Sequence, residues 1–134
     1  MLKLVYPAIF VSNAPESGYT VSFPDLPGCI TFGDNDADAI LMAQDAACGW
    51  ILGELEDGRT IPKASDPKKM ALADGEFLTM LVLDISSYAE KYGTKSVRKN
   101  TTIPAFLDTF GQAHQVNYSK LLTDALMQMY LKNA

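Results

Sequence analysis

Apolar residues recur at two different periods along this chain, and the switches between them predict its elements. Leu2 to Val11 (LKLVYPAIFV) is rich in strand formers, and Pro15–Gly18 after it is turn chemistry. In Tyr19–Phe23 large apolar residues alternate with small hydroxyl residues, so Tyr19, Val21 and Phe23 share one face of a half-buried strand. Pro24-Asp25-Leu26-Pro27-Gly28 reads as a rigid turn, followed by a third short strand from Cys29 to Phe32. The period then becomes helical. Ile40, Ala43, Ala47, Trp50, Ile51 and Leu55 recur at steps of three and four within Asp36–Glu56. Asn35 is placed to cap that helix, Asp36 and Asp38 favour its dipole, and Gly58 is placed as its C′ residue. Residues 59–75 are rich in Pro, Lys and Asp and read as a loop, and Glu76–Ser86 is the most apolar run, long enough for a central strand. The order β-β-β-α-β over residues 1–86 predicts an antiparallel meander, then a right-handed crossover into one mixed sheet with a helix on one face. Residues 87–96 read as a linker.

The remainder, residues 97–134, has a different pattern. Val97–Ile103 is a candidate strand stopped by Pro104, which is suited to position N1 of a helix running through about His114. Phe106, Leu107, Phe110 and Ala113 give that helix an apolar face. Asn117 caps a second helix from Tyr118 to about Lys132, with Leu121, Leu122, Ala125, Leu126, Met129 and Tyr130 inward. One strand and two helices in so few residues leave the strand unpaired and bury too little core to stand alone. Pairing the strand with that of a second copy gives a two-stranded ribbon on four helices, the ribbon-helix-helix arrangement. A β-ribbon fits the DNA major groove. Because Ile103 anchors the inner face, Thr101 and Lys99 share it, while Arg98, Asn100 and Thr102 face outward, where Arg suits guanine, Asn suits adenine and Thr either. Lys99 is expected to bury its stem and extend its ammonium to a phosphate. Backbone N–H groups at Tyr118 and Ser119, beside Asn117, offer a further phosphate site.

Charge sharpens this division. The net charge of −5 is the sum of unlike parts: residues 1–93 carry six Lys/Arg against 14 Asp/Glu, a net of −8, and residues 94–134 carry five against two, a net of +3. The acidic part repels nucleic acid and the basic part attracts it. No run approaches the roughly 20 apolar residues of a membrane span, and the N-terminus has no signal-peptide pattern, so a cytoplasmic protein without membrane contact is expected. Cys29 and Cys48 fit neither CxxC nor zinc spacing and are expected as buried free thiols. No catalytic constellation is present. The single histidine, His114, falls at a helix end; Asp25 reads as a turn residue whose carboxylate serves nearby N–H groups. Asp34, Asp36, Asp38 and Asp45 lie at the start and along the face of a helix rather than converging on a metal. No phosphate-binding glycine loop occurs, and no cofactor is expected.

Tyr6-Pro7-Ala8-Ile9-Phe10, then Gly18-Tyr19 with Val21-Ser22-Phe23-Pro24-Asp25-Leu26-Pro27-Gly28-Cys29, resembles the opening of HicB antitoxins. Gly33-Asp34, Ala39, Trp50, Glu56-Asp57-Gly58 and Ile61-Pro62 continue the resemblance. Arg98 to Pro104, with Asn117, Ser119 and Leu122, is similar to the C-terminal DNA-binding part of the same family. It departs from the family at Cys48-Gly49-Trp50 and Gly53, where relatives carry larger, more charged residues. The resemblance implies an α+β protein: a partial RNase H-like domain without a nuclease site, followed by a dimeric ribbon-helix-helix module. It implies an antitoxin that binds a small basic HicA-type mRNA-cleaving toxin, covers its catalytic histidine, and represses its own operon at operator DNA. Asp25, Leu26, Pro27, Asp34, Asp38 and Asp45 are the expected toxin-facing residues, and a homodimer or higher homo-oligomer is the expected state. The alternative is an orphan relative, a dimeric transcriptional regulator or RNA-binding module with no toxin partner.

Overall fold

The computed structural model describes residues 2–93 and 96–132. Met1, Asn133, Ala134, and Thr94 and Lys95 of the expected linker lie outside the described residues. Four strands, β1 (Lys3–Ser12), β2 (Tyr19–Ser22), β3 (Ile30–Gly33) and β4 (Glu76–Asp84), form one sheet in the order β3-β2-β1-β4. Every neighbouring pair is antiparallel. Side chains alternate across it: Tyr6, Ala8, Phe10, Val21, Leu81 and Leu83 are buried on one face. Pro7 is tolerated in β1 because β4 is the only paired neighbour there, opposite Met80; pairing with β2 begins at Ile9.

The expected mixed sheet is therefore corrected, as is the central position expected for β4, which is an edge strand beside β1. The reason lies in the connection. Helix α1 (Asp36–Glu56) leaves the end of β3 and runs back about 30 Å, until the Trp50 indole donates to the Pro27 carbonyl (3.0 Å) at the β2–β3 turn. A direct crossover would start β4 at that end, parallel to β1. Instead residues 57–75 return along the sheet, and Glu76 enters opposite Val11. An extended loop of that length has ample reach, and the handedness rule for parallel crossovers does not apply. Within the loop, a short 3-10 turn, Pro67–Lys69, is capped by Asp66.

The start and end of α1 follow the sequence signals. The Asn35 side chain accepts from the Asp38 N–H (2.9 Å), and the Asp38 carboxylate accepts from the Asp34 N–H (2.8 Å). At the other end, Gly58 has φ +73°, with Arg59 N–H donating to Glu54 and Gly58 N–H to Leu55. The buried face differs from the expected stripe: Ala39, Ala43, Ala47, Cys48 and Ile51 are inward, and Ile40 is exposed. Small residues win because the backbones approach closely; a Cβ on Gly33 would lie 2.3 Å from the Ala39 nitrogen. Gly49 has a similar cause, since a Cβ there would meet the Tyr88 hydroxyl at 2.9 Å.

Tyr88 belongs to α2 (Ile85–Tyr92), capped by Asp84, whose carboxylate accepts from the Ser87 N–H (3.0 Å). Residues 87–92, expected within a linker, are thus the body of a helix against α1. That bond and the nearby Lys3 hold the Asp84 carboxyl below its ordinary range.

The chain divides into two compact units, of which Lys3–Gly93 is the first. The second contains α3 (Ala105–Ala113) and α4 (Tyr118–Lys132). Pro104 stands at the N-cap of α3 rather than at N1. The two helices are joined by a tight turn at Gln115 (φ +53°), with Val116 N–H returning to the Gly111 carbonyl (2.9 Å). Residues 97–103 form no strand within the single chain: the ladder that defines a strand needs a paired neighbour, and the expected strand is one that pairs with a second copy.

Candidate DNA-binding and partner-binding surfaces

In the second unit an open groove of about 720 Å³ runs between residues 99–103 and the two helices. Lys99, Thr101 and Ile103 all line it, facing Leu107, Phe110 and Leu122. Alternate residues of the segment therefore share the inner face, leaving Arg98, Asn100 and Thr102 at the alternate positions. All of residues 97–103 are exposed. The Asn117 side chain accepts from the Lys120 N–H (3.0 Å), so α4 begins as expected. Ser119 lines the groove, and the Tyr118 side chain is committed elsewhere: its hydroxyl donates to the Asp108 carboxylate (2.8 Å) and its ring rests on Gly111, leaving no room for a Cβ there. That bond raises the Tyr118 pKa. Of the expected DNA-facing set, Tyr118 is thus a brace between α3 and α4 through its side chain.

The helices are apolar and uncovered. Phe106 is 71 % exposed and Leu121 60 %, and Gly111 is the one buried residue among those described in α3 and α4. The side chains expected as a core therefore have no core within one chain. His114 ends α3, its Nδ1 2.9 Å from the Phe110 carbonyl and its ring against Phe110.

The expected toxin-facing residues of the first unit are not brought together as one free surface. Leu26 is fully buried, which removes it from any contact surface. The turn is closed by Leu26 N–H to Phe23 and Cys29 N–H to Leu26 (both 3.0 Å), so Phe23, Leu26 and Cys29 all point inward. The Asp25 carboxylate accepts from the Ser65 N–H (2.9 Å) and hydroxyl, clamping the distant loop rather than serving its own turn. The Tyr6 hydroxyl donates to the Pro62 carbonyl beside this clamp, and burial with the nearby Asp25 raises its pKa. The Pro27 ring is exposed, but its carbonyl is taken by Trp50, and Asp38 is engaged in the cap of α1. Asp34 and Asp45 are exposed.

Among the described residues no group of three His, Cys, Asp or Glu side chains could hold a metal ion. Cys29 and Cys48 are buried free thiols. Burial, with Asp45 and Asp84 adding to it, pushes the Cys48 thiol up to about 11, away from the reactive thiolate. In the native protein at pH 8, Cys48 is expected to resist a disulfide reagent and to titrate promptly once the chain is denatured. Equal labelling rates in both states would show that α1 does not shield it.

The surface that the sequence reading missed is the sheet face opposite α1. Ile30 and Phe32 are 65 % and 68 % exposed, and Val5, Val11, Met80 and Val82 share that face and are also exposed. The available signal was the near-continuous apolar character of β1 and β4, where a sheet wetted on one side would alternate with polar residues.

A four-stranded antiparallel sheet with four α-helices among the described residues, an acidic first unit and a basic second unit define a two-unit α+β protein. Residues 6–125 match the family model described as the HicB-like antitoxin of bacterial toxin–antitoxin systems, and the chain belongs to that family. It is 36 % identical over 90 residues to an uncharacterized 14.9 kDa protein of Haemophilus phage HP1, a match covering 67 % of each chain. It is 42 % identical over 60 residues to antitoxin HicB 2 of Photorhabdus laumondii, covering 45 % of this chain and 42 % of that one. The match thus spans less than half the length of that antitoxin. Among solved structures, a toxin–antitoxin complex from Streptococcus pneumoniae contains a chain with a TM-score of 0.63 and 25 % identity, covering 96 % of this chain and 99 % of that one. No described helix is long and apolar enough to cross a membrane.

Proposed function

We propose that this chain is an antitoxin that binds and neutralises a HicA-type mRNA-cleaving toxin and represses its own operon by binding operator DNA as a dimer. It acts by stoichiometric binding, without catalysis. Family membership and the likeness to a chain of a toxin–antitoxin complex support the first part. The β1-β2-β3-α1-β4 order fits the partial RNase H-like domain implied by the resemblance, although β4 is antiparallel to β1.

The observation that carries the DNA-binding part is the two-sided segment 98–103. Lys99, Thr101 and Ile103 line the groove, and the exposed Arg98, Asn100 and Thr102 occupy the alternate positions. Two such segments paired across a dimer axis form a ribbon whose outer face carries one guanine-seeking and one adenine-seeking side chain per copy. The helices supply the reason to dimerise, because their exposed apolar stripes become a shared core. The net charge of +3 in residues 94–134 adds attraction to phosphate.

Replacing Arg98 or Asn100 by alanine is expected to weaken binding to the chain's own promoter by about 1–3 kcal/mol each, measured by fluorescence anisotropy at fixed salt. Toxin capture is expected to persist in both variants. Unchanged promoter affinity in both would remove the base-reading assignment. Recovery of the chain from its host without a small basic partner, but with promoter binding intact, would favour an orphan regulator.

A further inference from the structure

The segment before α3 is seated against two helices at once. The groove that Lys99, Thr101 and Ile103 line is walled by Leu107 and Phe110 of α3 and by Leu121 and Leu122 of α4, so its width follows the spacing of those helices. Packing does little to fix that spacing within one chain, because Gly111 is the one buried residue among those described in α3 and α4. Tyr118 bridges the gap. It is the first residue of α4, and its hydroxyl donates to the Asp108 carboxylate on α3 (2.8 Å), with the Asp108 carbonyl also in reach (3.2 Å). Its ring lies over Gly111, where any Cβ would collide with it. Helix α3 therefore carries glycine, a costly residue in a helix interior, at the position the ring needs. The acceptor is out of place by charge. Asp108 and Asp124 are the only acidic residues of the basic stretch 94–134, and each is tied: Asp124 to Lys120 (3.4 Å), Asp108 to Tyr118. A carboxylate here weakens attraction to phosphate, and the bond it accepts gives it a use.

We infer that Tyr118 is a positioning residue for sequence recognition: bonded to Asp108, it sets the spacing of α3 and α4, and through the groove it fixes how Arg98 and Asn100 are presented to DNA. The assignment rests on the DNA-binding reading above. Without the hydroxyl, Asp108 becomes an open acceptor in the groove that Lys99 also lines, and the segment can shift over the helices. Base reading needs hydrogen-bond geometry and suffers from such a shift. Attraction of Lys and Arg to phosphate needs only charge and does not.

The test uses the full chain and two duplexes of equal length, its own promoter and a scrambled sequence, with binding read by fluorescence anisotropy at one salt concentration. Tyr118→Phe keeps the ring on Gly111 and removes only the hydroxyl. It is expected to lower promoter affinity by roughly tenfold while leaving affinity for the scrambled duplex within about twofold of the parent. Asp108→Asn, which keeps an acceptor oxygen and loses the charge, is expected to raise both affinities together and preserve their ratio. Asp108→Ala should lose the ratio as Tyr118→Phe does, and combining the two should lower it no further than either alone. Equal losses on both duplexes with a lowered melting temperature would overturn the assignment and leave Tyr118 a contact that only holds the fold. A ratio unchanged in both Tyr118→Phe and Asp108→Ala would also overturn it, with the DNA-binding reading intact. If the parent chain itself does not distinguish its promoter from the scrambled duplex, the base-reading assignment falls, and the positioning role falls with it.

Discussion

Leu26→Ala is expected to lower the stability of the first unit by about 2–5 kcal/mol, the range for removing a fully buried leucine, and so to consume much of a typical domain's margin. The side chain is completely buried, and the turn around it is closed by two backbone hydrogen bonds that hold Phe23, Leu26 and Cys29 inward. The neighbouring β2 ends at Ser22 and β3 begins at Ile30, so a cavity here loosens the meander where its two shortest strands meet. Urea denaturation followed through Trp50 reads this directly, because its indole is bonded to the Pro27 carbonyl of the same turn. Toxin capture by the variant should fall only as far as the folded fraction does, and should recover at low temperature. A variant as stable as the parent but unable to capture toxin would return Leu26 to the interface.

The same turn shows where sequence reasoning reached its limit. Pro24, Asp25, Pro27 and Gly28 announce a turn correctly, since each is a residue with a backbone preference. Nothing in that local chemistry says that Leu26 is the plug beneath it, because inwardness depends on what lies across the sheet. Asp25 has the same difficulty: its partner Ser65 is 40 residues away. Local signals were legible where the physics is local. Asn35, Asp36 and Gly58 marked α1 to its observed ends, and Asn117 marked the start of α4. Strand order was legible only in part. β1 to β3 are joined by short connections that leave few alternatives, whereas the loop over 57–75 reverses the direction in which β4 enters. Helix α2 was hidden in SYAEKYG, whose apolar face is two tyrosines with their rings tilted against each other, a weak periodic signal. In the second unit the parity of residues 98–103 was legible from Ile103 and Pro104 alone, and the groove lined by Lys99, Thr101 and Ile103 has that same parity.

Leu122→Lys is expected to abolish dimerisation and, with it, promoter binding, reducing affinity by about 100-fold or more. Leu122 lines the groove opposite Ile103 and is 41 % exposed in the single chain. If a second copy closes that groove, each dimer must bury two lysine ammoniums among Leu107, Phe110 and Ile103, at a cost of several kcal/mol per unpaired charge. The added positive charge would by itself favour DNA, so a loss of binding cannot be a charge effect and must come from the lost ribbon. Light scattering should report a dimer for the parent chain and a monomer for the variant. The melting transition of the first unit should remain within about 0.5 kcal/mol of the parent, since Leu122 is an exposed residue that does not belong to that unit. The parent's second transition should also rise in temperature with protein concentration, as a dimer-linked unit must, and should be independent of concentration in the variant. A variant that stays dimeric and retains its promoter would show that the apolar stripes of α3 and α4 are covered in another way, and that residues 97–103 do not pair across an axis beside Leu122.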